Sequence, residues 1–269
     1  MDSQQMELIR QKEIEILDKV VAFCNANCLQ YSLAAGTALG AFRHQGFIPW
    51  DDDIDITMTR PTFMRMYEIW QRRPIPGLTL QYFLDDPYCG TCHAKIRMDG
   101  TILLSKGEDE KHGHHGIWID IFPMDKISDK KKLHRKTLRM GIYLVLLTRV
   151  NVDDYASSLT RKLIRKVVRI VPYRIRKKWM EKISDRLLKD DVELNDNYHW
   201  ISMSAFMSFG KLYNRDVTEN VKEISFEGKN YDVFWHMEDM LTVLYGNYME
   251  LPPEEKRIPT HSPIKIKCE

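Results

Sequence analysis

Between residues 5 and 28, Leu8, Ile9, Ile16, Leu17, Val20, Val21 and Cys24 recur at helical spacing with charges between them, so an amphipathic helix opens the chain. A short strand follows around Tyr31 to Ala35. Gly36-Thr37 then turns into a short helix that ends near Gln45-Gly46. From Trp50 onward apolar and polar residues alternate. An extended backbone there puts Asp51, Asp53 and Asp55 on one face of a strand and Asp52, Ile54 and Ile56 on the other. Thr59 is placed to cap a helix with Pro61 in its first turn, running to about Arg73 before Pro74, Pro76 and Gly77 break it. Strands are expected at Leu78 to Leu84, His93 to Met98, Thr101 to Leu104 and 117–123. Leu138 to Val150 reads as a helix too short to span a bilayer. Met203 to Leu212 reads as a strand, Ile224 to Tyr231 as a hairpin about Gly228, and Met237 to Tyr245 as a short amphipathic helix.

The alternation after Trp50 carries chemistry as well as structure. Three carboxylates pointing one way repel unless a cation sits among them, and hard oxygen ligands suit Mg²⁺ or Mn²⁺, with positions left for substrate phosphates. The competing reading is a solvated acidic loop. Asp120 stands alone among Ile117, Trp118, Ile119 and Ile121, and a buried strand rarely keeps a lone carboxylate without a partner. The metal proposed for Asp53 and Asp55 is one partner, beside which Asp120 can also draw a proton from an attacking hydroxyl; a plain salt bridge is the other reading. The strand, glycine turn and helix around Gly36 and Thr37 offer N–H groups to a phosphate, with Arg43 and His44 on the same element. Lys95 and Arg97 share a strand face, either a solvated edge or the phosphate side of the cleft.

With 269 residues the chain is long enough for one large domain or two small ones, and its composition is that of a globular protein. The start carries charges and no apolar signal core, and no apolar run reaches the length of a membrane span, so a cytoplasmic location is expected. Five cysteines without an export signal argue for free thiols. Cys89, Cys92 and His93 spell Cys-x-x-Cys-His, but haem attachment needs an exported chain, and zinc would need further ligands such as His112, His114 or His115.

Gly36-Thr37 with Gly40, Arg43-His44, Ile48-Pro49-Trp50-Asp51-Asp52-Asp53-Ile54-Asp55, the run Ile119 to Asp125, and Tyr245-Gly246 with Pro252 to Arg257 together resemble the LicD family of phosphocholine transferases. That family is a branch of the nucleotidyltransferase superfamily related to fukutin and fukutin-related protein. The resemblance covers nearly the whole chain. It implies an α/β (α+β) fold, a small mixed sheet flanked by helices, with metal acids at Asp53 and Asp55 on one strand and Asp120 on its neighbour. It also implies transfer of phosphocholine from CDP-choline to a sugar hydroxyl of a cell-surface glycan, such as a teichoic acid, lipopolysaccharide or capsule precursor, with release of CMP. Trp50, Trp118 or Phe122 could face the quaternary ammonium, and Asp51 lies in the same motif. Where the family commonly reads Tyr-Gly-Asp-Tyr, this chain has Tyr245-Gly246-Asn247-Tyr248, so a charge role there does not carry over. A nucleotidylyltransferase, a transferase of another phospho-alcohol such as ribitol phosphate, and a catalytically dead membrane adaptor are the alternatives.

The middle of the chain matches the family least. Residues 1–129 read as the catalytic core, 130–195 as a basic helical insertion, and 196–269 as a C-terminal part that completes the catalytic domain. Arg161 to Lys182 holds ten Lys or Arg and one acid, Glu181, with Leu163, Ile164, Val167, Val168, Ile170 and Val171 at helical spacing before Pro172. An anionic membrane surface, nucleic acid and a solvated helix face compete for this segment. A lipid-linked acceptor favours the membrane, with the protein peripheral at its inner face and no nucleic-acid partner. The proline-rich, basic stretch from Pro252 to Lys267 either wanders on the surface or crosses the cleft with Lys256 and Arg257 near the nucleotide.

Overall fold

The apolar stripe of the N-terminal segment forms one long helix, α1 (Ser3–Ala26), which buries Ile9, Ile16, Leu17, Val20 and Cys24. The computed structural model describes residues 3–105, 111–149, 166–194, 196–203, 210–259, 261 and 263–268. After α1 come β1 (Ser32–Leu33), α2 (Ala35–His44), β2 (Asp55–Thr59) and α3 (Arg60–Arg72). Next are β3 (Leu78–Gln81), β4 (Ala94–Met98), β5 (Ile102–Ser105) and β6 (Trp118–Ser128). The main sheet runs β1-β2-β6-β4-β3. Its one parallel pair is β2 with β6, and the crossover that such a pair requires is supplied by α3 and the β3 to β5 segment. The fold is mixed α/β.

Two helices follow, α4 (Lys131–Thr148) and α5 (Tyr173–Glu193), and Arg176 ties them together by donating from Nη1 to the Leu147 carbonyl at 3.0 Å. Pro172 separates α5 from helical residues 166–170 because it lacks the N–H that a continuous helix would use. The start of the basic segment, 161–165, lies outside the described residues. β7 (Tyr198–Ile201) then returns to pair with the far end of β6. The hairpin forms as β8 (Val221–Phe226) and β9 (Lys229–Phe234), with Glu227 and Gly228 at positive φ in its turn. α6 (Met237–Tyr245) follows it, and β10 (Pro263–Lys267) pairs with β5.

Three elements differ from the pattern read in the sequence. The strand expected from Trp50 begins only at Asp55, because the Asp51 amide closes a turn onto the Ile48 carbonyl at 2.8 Å, and of residues 51–54 Ile54 alone meets β6, its carbonyl accepting from the Asp120 amide at 2.8 Å. The strand expected through Leu84 stops at Gln81, where the Tyr82 carbonyl accepts from the amides of Asp85 and Asp86 in a turn. Of Met203 to Leu212, residues 204–209 lie outside the described set, and 203 and 210–212 are not strand.

Beneath the sheet, Arg60 is fully buried and forms a bidentate pair with Asp125 on β6, Nη2 lying 2.8 Å from Oδ2. A charge so placed is tolerated only because its partner and Tyr82 Oη satisfy it.

Candidate active site

Strand register gathers the central residues. On the parallel pair Asp55 stands directly beside Asp120, and on the antiparallel side Asp120 stands beside Lys95, so the three form one row across β2, β6 and β4. Asp53, two residues ahead of β2, joins them: one carboxylate oxygen each from Asp53, Asp55 and Asp120 lie within 4.8 Å of one another. Asp51, Asp52 and Asp53 form a second, overlapping group of the same compactness.

The charges in this row are unevenly balanced. Lys95 Nζ donates to both Asp120 oxygens at 2.7 and 3.0 Å, Trp118 Nε1 donates to Oδ2 at 3.3 Å, and His93 Nε2 lies 3.2 Å from Oδ1. Burial opposes the ionised form of Asp120, yet Lys95 and His93 outweigh it and hold the carboxyl well below the usual range. For Asp55, burial and then repulsion from Asp53 and Asp120 push the pKa well above the carboxylate range. Burial, only partly offset by His261, pushes Asp53 up to about 6. Asp51 is pushed up to about 8 by burial and by Asp53 and Asp52. One lysine thus offsets one acid and leaves Asp53 and Asp55 short of positive charge. An all-oxygen set of this kind fits a hard divalent cation, which would relieve that repulsion.

The acids are held by contacts from outside the motif. Thr37 Oγ1 accepts from the Asp55 amide at 2.8 Å, fixing the start of β2. Gly36 leaves the space that Asp51 fills, since a Cβ there would lie 2.4 Å from Asp51 Oδ2. Arg10 of α1 donates to the carbonyls of Ile48, Pro49 and Asp51. Glu13, one turn further along α1, is 1% exposed, and burial together with Asp53, Asp52 and Asp51 raises its pKa well above the usual value.

Other residues singled out in the sequence are distributed differently from the expectation. Arg43 and His44 sit in the last turn of α2, about 10 Å along the helix from Gly36. Arg43 is bound to the Tyr248 and Glu250 carbonyls and to His44 Nε2, so these two side chains do not share a phosphate cradle with Gly36 and Thr37. Lys95 lies in the site, buried rather than on a solvated edge. Arg97 is buried too, but donates to Gln81 Oε1 and the Gly116 carbonyl, two residues along β4 from the row of acids. Trp118 is buried, with the cations of Lys95 and Arg97 over its ring at 4.3 and 4.9 Å. Phe122 packs on His93. Trp50 is half-buried with Arg257 5.7 Å from its ring centre, while Lys256 is exposed.

The C-terminal stretch does cross the site, but by another residue. The His261 amide donates to Asp52 Oδ2 at 3.0 Å and its Nδ1 lies 3.2 Å from Asp52 Oδ1 and 3.9 Å from Asp53 Oδ2. Burial opposes the charged ring, but Asp52 and Asp53 outweigh it and raise the His261 pKa. Nothing local in the sequence marks a histidine some two hundred residues from its partner. Cys89 and Cys92 are buried free thiols, Cys92 beside Thr148 Oγ1, and burial pushes Cys92 up to about 11. Among the described residues, the groups of side chains placed closely enough to hold a cation consist of aspartates alone.

The site is thus a mixed sheet whose parallel strand pair presents convergent acids beside a strand–turn–helix unit. Residues 28–140 match the family described as LicD/FKTN/FKRP, nucleotidyltransferase domain. The chain is 28% identical over 258 residues, 92% of its own length and 92% of the relative's, to the lipopolysaccharide cholinephosphotransferase LicD of Haemophilus influenzae. An uncharacterized protein of Rickettsia typhi is 60% identical over 115 residues, and the match spans 35% of that protein. Over residues 28–140 this chain is thus similar to the LicD family, and over most of its length to one lipopolysaccharide cholinephosphotransferase.

Proposed function

We propose that this phosphotransferase moves phosphocholine from CDP-choline to a sugar hydroxyl of a cell-surface glycan, with release of CMP. The observation that carries the reading is the convergence of Asp53, Asp55 and Asp120 across the parallel strand pair. Similarity along nearly the whole chain to a lipopolysaccharide cholinephosphotransferase supports the choice of transferred group and makes a lipopolysaccharide precursor the first acceptor to test.

In the proposed reaction the acceptor oxygen attacks the phosphorus next to choline. A new P–O bond forms, the P–O bond to CMP breaks, CMP leaves with the electron pair, and the hydroxyl proton passes to the acidic cluster. Mg²⁺, or Mn²⁺ in its place, held by Asp53, Asp55 and Asp120, would neutralise charge on the diphosphate and on departing CMP. Lys95 fixes the orientation of Asp120 and brings a positive charge to the same row. The N–H groups of the first turn of α2, which lack intrahelical acceptors, would suit the substrate phosphates. Trp50, at the rim, offers a ring to the choline ammonium.

The test is acceptor-dependent CMP release from CDP-choline, compared with CDP-ethanolamine, CDP-ribitol and CDP-glycerol. Choline carried into the glycan, with CMP formed in equal amount, is the expected result. CMP found covalently on the product would make the protein a nucleotidylyltransferase, and preference for another donor would change the transferred alcohol. No turnover with any donor would leave the membrane adaptor.

A further inference from the structure

The helices between β6 and β7 leave both cations and apolar groups exposed. On α5 the buried residues Arg176, Met180, Ser184 and Leu187 mark the inner side. Ile175, Lys178, Trp179 and Lys182, spaced i, i+3, i+4 and i+7, share the opposite side, and all are exposed. Trp179 is 46% exposed, and ahead of Pro172 Ile170 reaches 80% with Val167 and Lys166 exposed beside it. The neighbouring α4 leaves Ile142 and Tyr143 exposed one turn beyond Arg139. Lys177 lies 4.0 Å from Glu181, but among the described residues no ion pair engages Lys166, Arg174, Lys178 or Lys182.

We propose that this face seats on an anionic lipid bilayer, with the cations on headgroup phosphates and Trp179, Ile175 and Ile170 in the boundary between headgroups and acyl chains. A second copy of the chain would bring like charges together. A nucleic-acid backbone would attract the cations but leave the aliphatic side chains in water. A bilayer interface takes both kinds of group on one surface, and a tryptophan with an apolar body and a polar N–H is suited to that depth. No helix among the described residues is long and apolar enough to cross a membrane, so the contact is peripheral. The inference rests on exposure and charge and is independent of which donor the enzyme uses. A lipid-linked acceptor would be reached from such a seat.

The full chain is mixed with vesicles of phosphatidylcholine alone or of phosphatidylcholine with phosphatidylglycerol. Co-sedimentation only with the anionic vesicles, falling steeply with salt, is expected. The triple change R174Q, K178Q and K182Q weakens binding about a hundredfold, since each cation near an anionic surface contributes about one factor of five. Tryptophan emission shifts to the blue on binding, and W179F removes most of that shift while sedimentation persists. CMP release with a soluble acceptor fragment stays at wild-type level in the triple variant, which separates failure of this inference from failure of the reaction. The inference is overturned if the wild type ignores anionic vesicles or binds neutral ones equally. It is also overturned if the triple variant binds like wild type, if W179F keeps the full shift, or if light scattering shows a dimer that the Trp179 and Ile175 changes to serine dissolve.

Discussion

The guanidinium of Arg10 grips the carbonyl oxygen of Asp51 twice, from Nη2 at 2.6 Å and from Nε at 3.2 Å. The same group reaches the Ile48 and Pro49 carbonyls, so one side chain of α1 shapes the loop that delivers the acids. Lysine carries the charge but cannot span three carbonyls with a planar fork. Arg10→Lys is expected to keep the fold and to lower turnover about tenfold or more, with the midpoint for Mg²⁺ activation rising. Unchanged Mg²⁺ dependence would show that the loop is held without Arg10.

Asp53→Asn and Asp55→Asn each remove one carboxylate charge from the proposed metal site at constant volume. Activity is expected to fall at least about a hundredfold in each, with circular dichroism unchanged. The wild type should lose activity in excess EDTA and regain it with Mg²⁺. Wild-type turnover in either variant, or full activity in EDTA, would remove the metal from the mechanism.

Thr37→Val deletes the acceptor of the Asp55 amide and leaves a buried donor unpaired, a cost of about 1–3 kcal/mol. Thr37→Ser keeps the oxygen and should retain most stability and activity. Equal behaviour of the two variants in thermal unfolding would contradict this role.

Glu13 predicts a pH dependence of opposite sign to the usual stabilising carboxylate. Its folded pKa is raised above the ordinary 4.5, chiefly by burial and then by Asp53, Asp52 and Asp51. Below about pH 4.5 both states are protonated and no penalty arises. Above it the unfolded chain ionises while the folded one keeps its proton, so stability falls as pH rises, by about 1.4 kcal/mol per unit, until the folded pKa is reached. Glu13→Gln should therefore melt like wild type near pH 4.5 and several degrees higher near pH 7. A melting difference that does not grow with pH would refute it.

The Arg60 and Asp125 pair sets the expectation for the β6 end of the motif. Asp125→Asn strands a fully buried guanidinium and should destabilise the fold by about 3–5 kcal/mol, seen as a lower urea midpoint. A loss of activity without loss of stability would instead make Asp125 part of the site.

Local pattern determined much of this protein. The 3.6-residue stripe of α1, the Thr59 cap ahead of α3, the hairpin about Gly228 and the helix Met237–Tyr245 all follow from interactions within a few residues of each other, which the sequence displays directly. The family resemblance and the acids Asp53, Asp55 and Asp120 were likewise legible, because residue type and spacing carry them.

What depends on contacts between distant segments was decided by the tertiary structure. Alternation after Trp50 implied a strand face for Asp51 and Asp53, but Arg10 and the turn onto Ile48 hold the start of that segment, and the strand begins only at Asp55. Arg43 is one turn of helix and a charge in the sequence; in the fold it is spent on the Tyr248 and Glu250 carbonyls. Lys95 opposite Asp120, Arg60 under Asp125 and His261 on Asp52 arise from register and chain return. Such pairings depend on where the packing of the sheet brings segments together, and periodicity along a single segment contains no record of that.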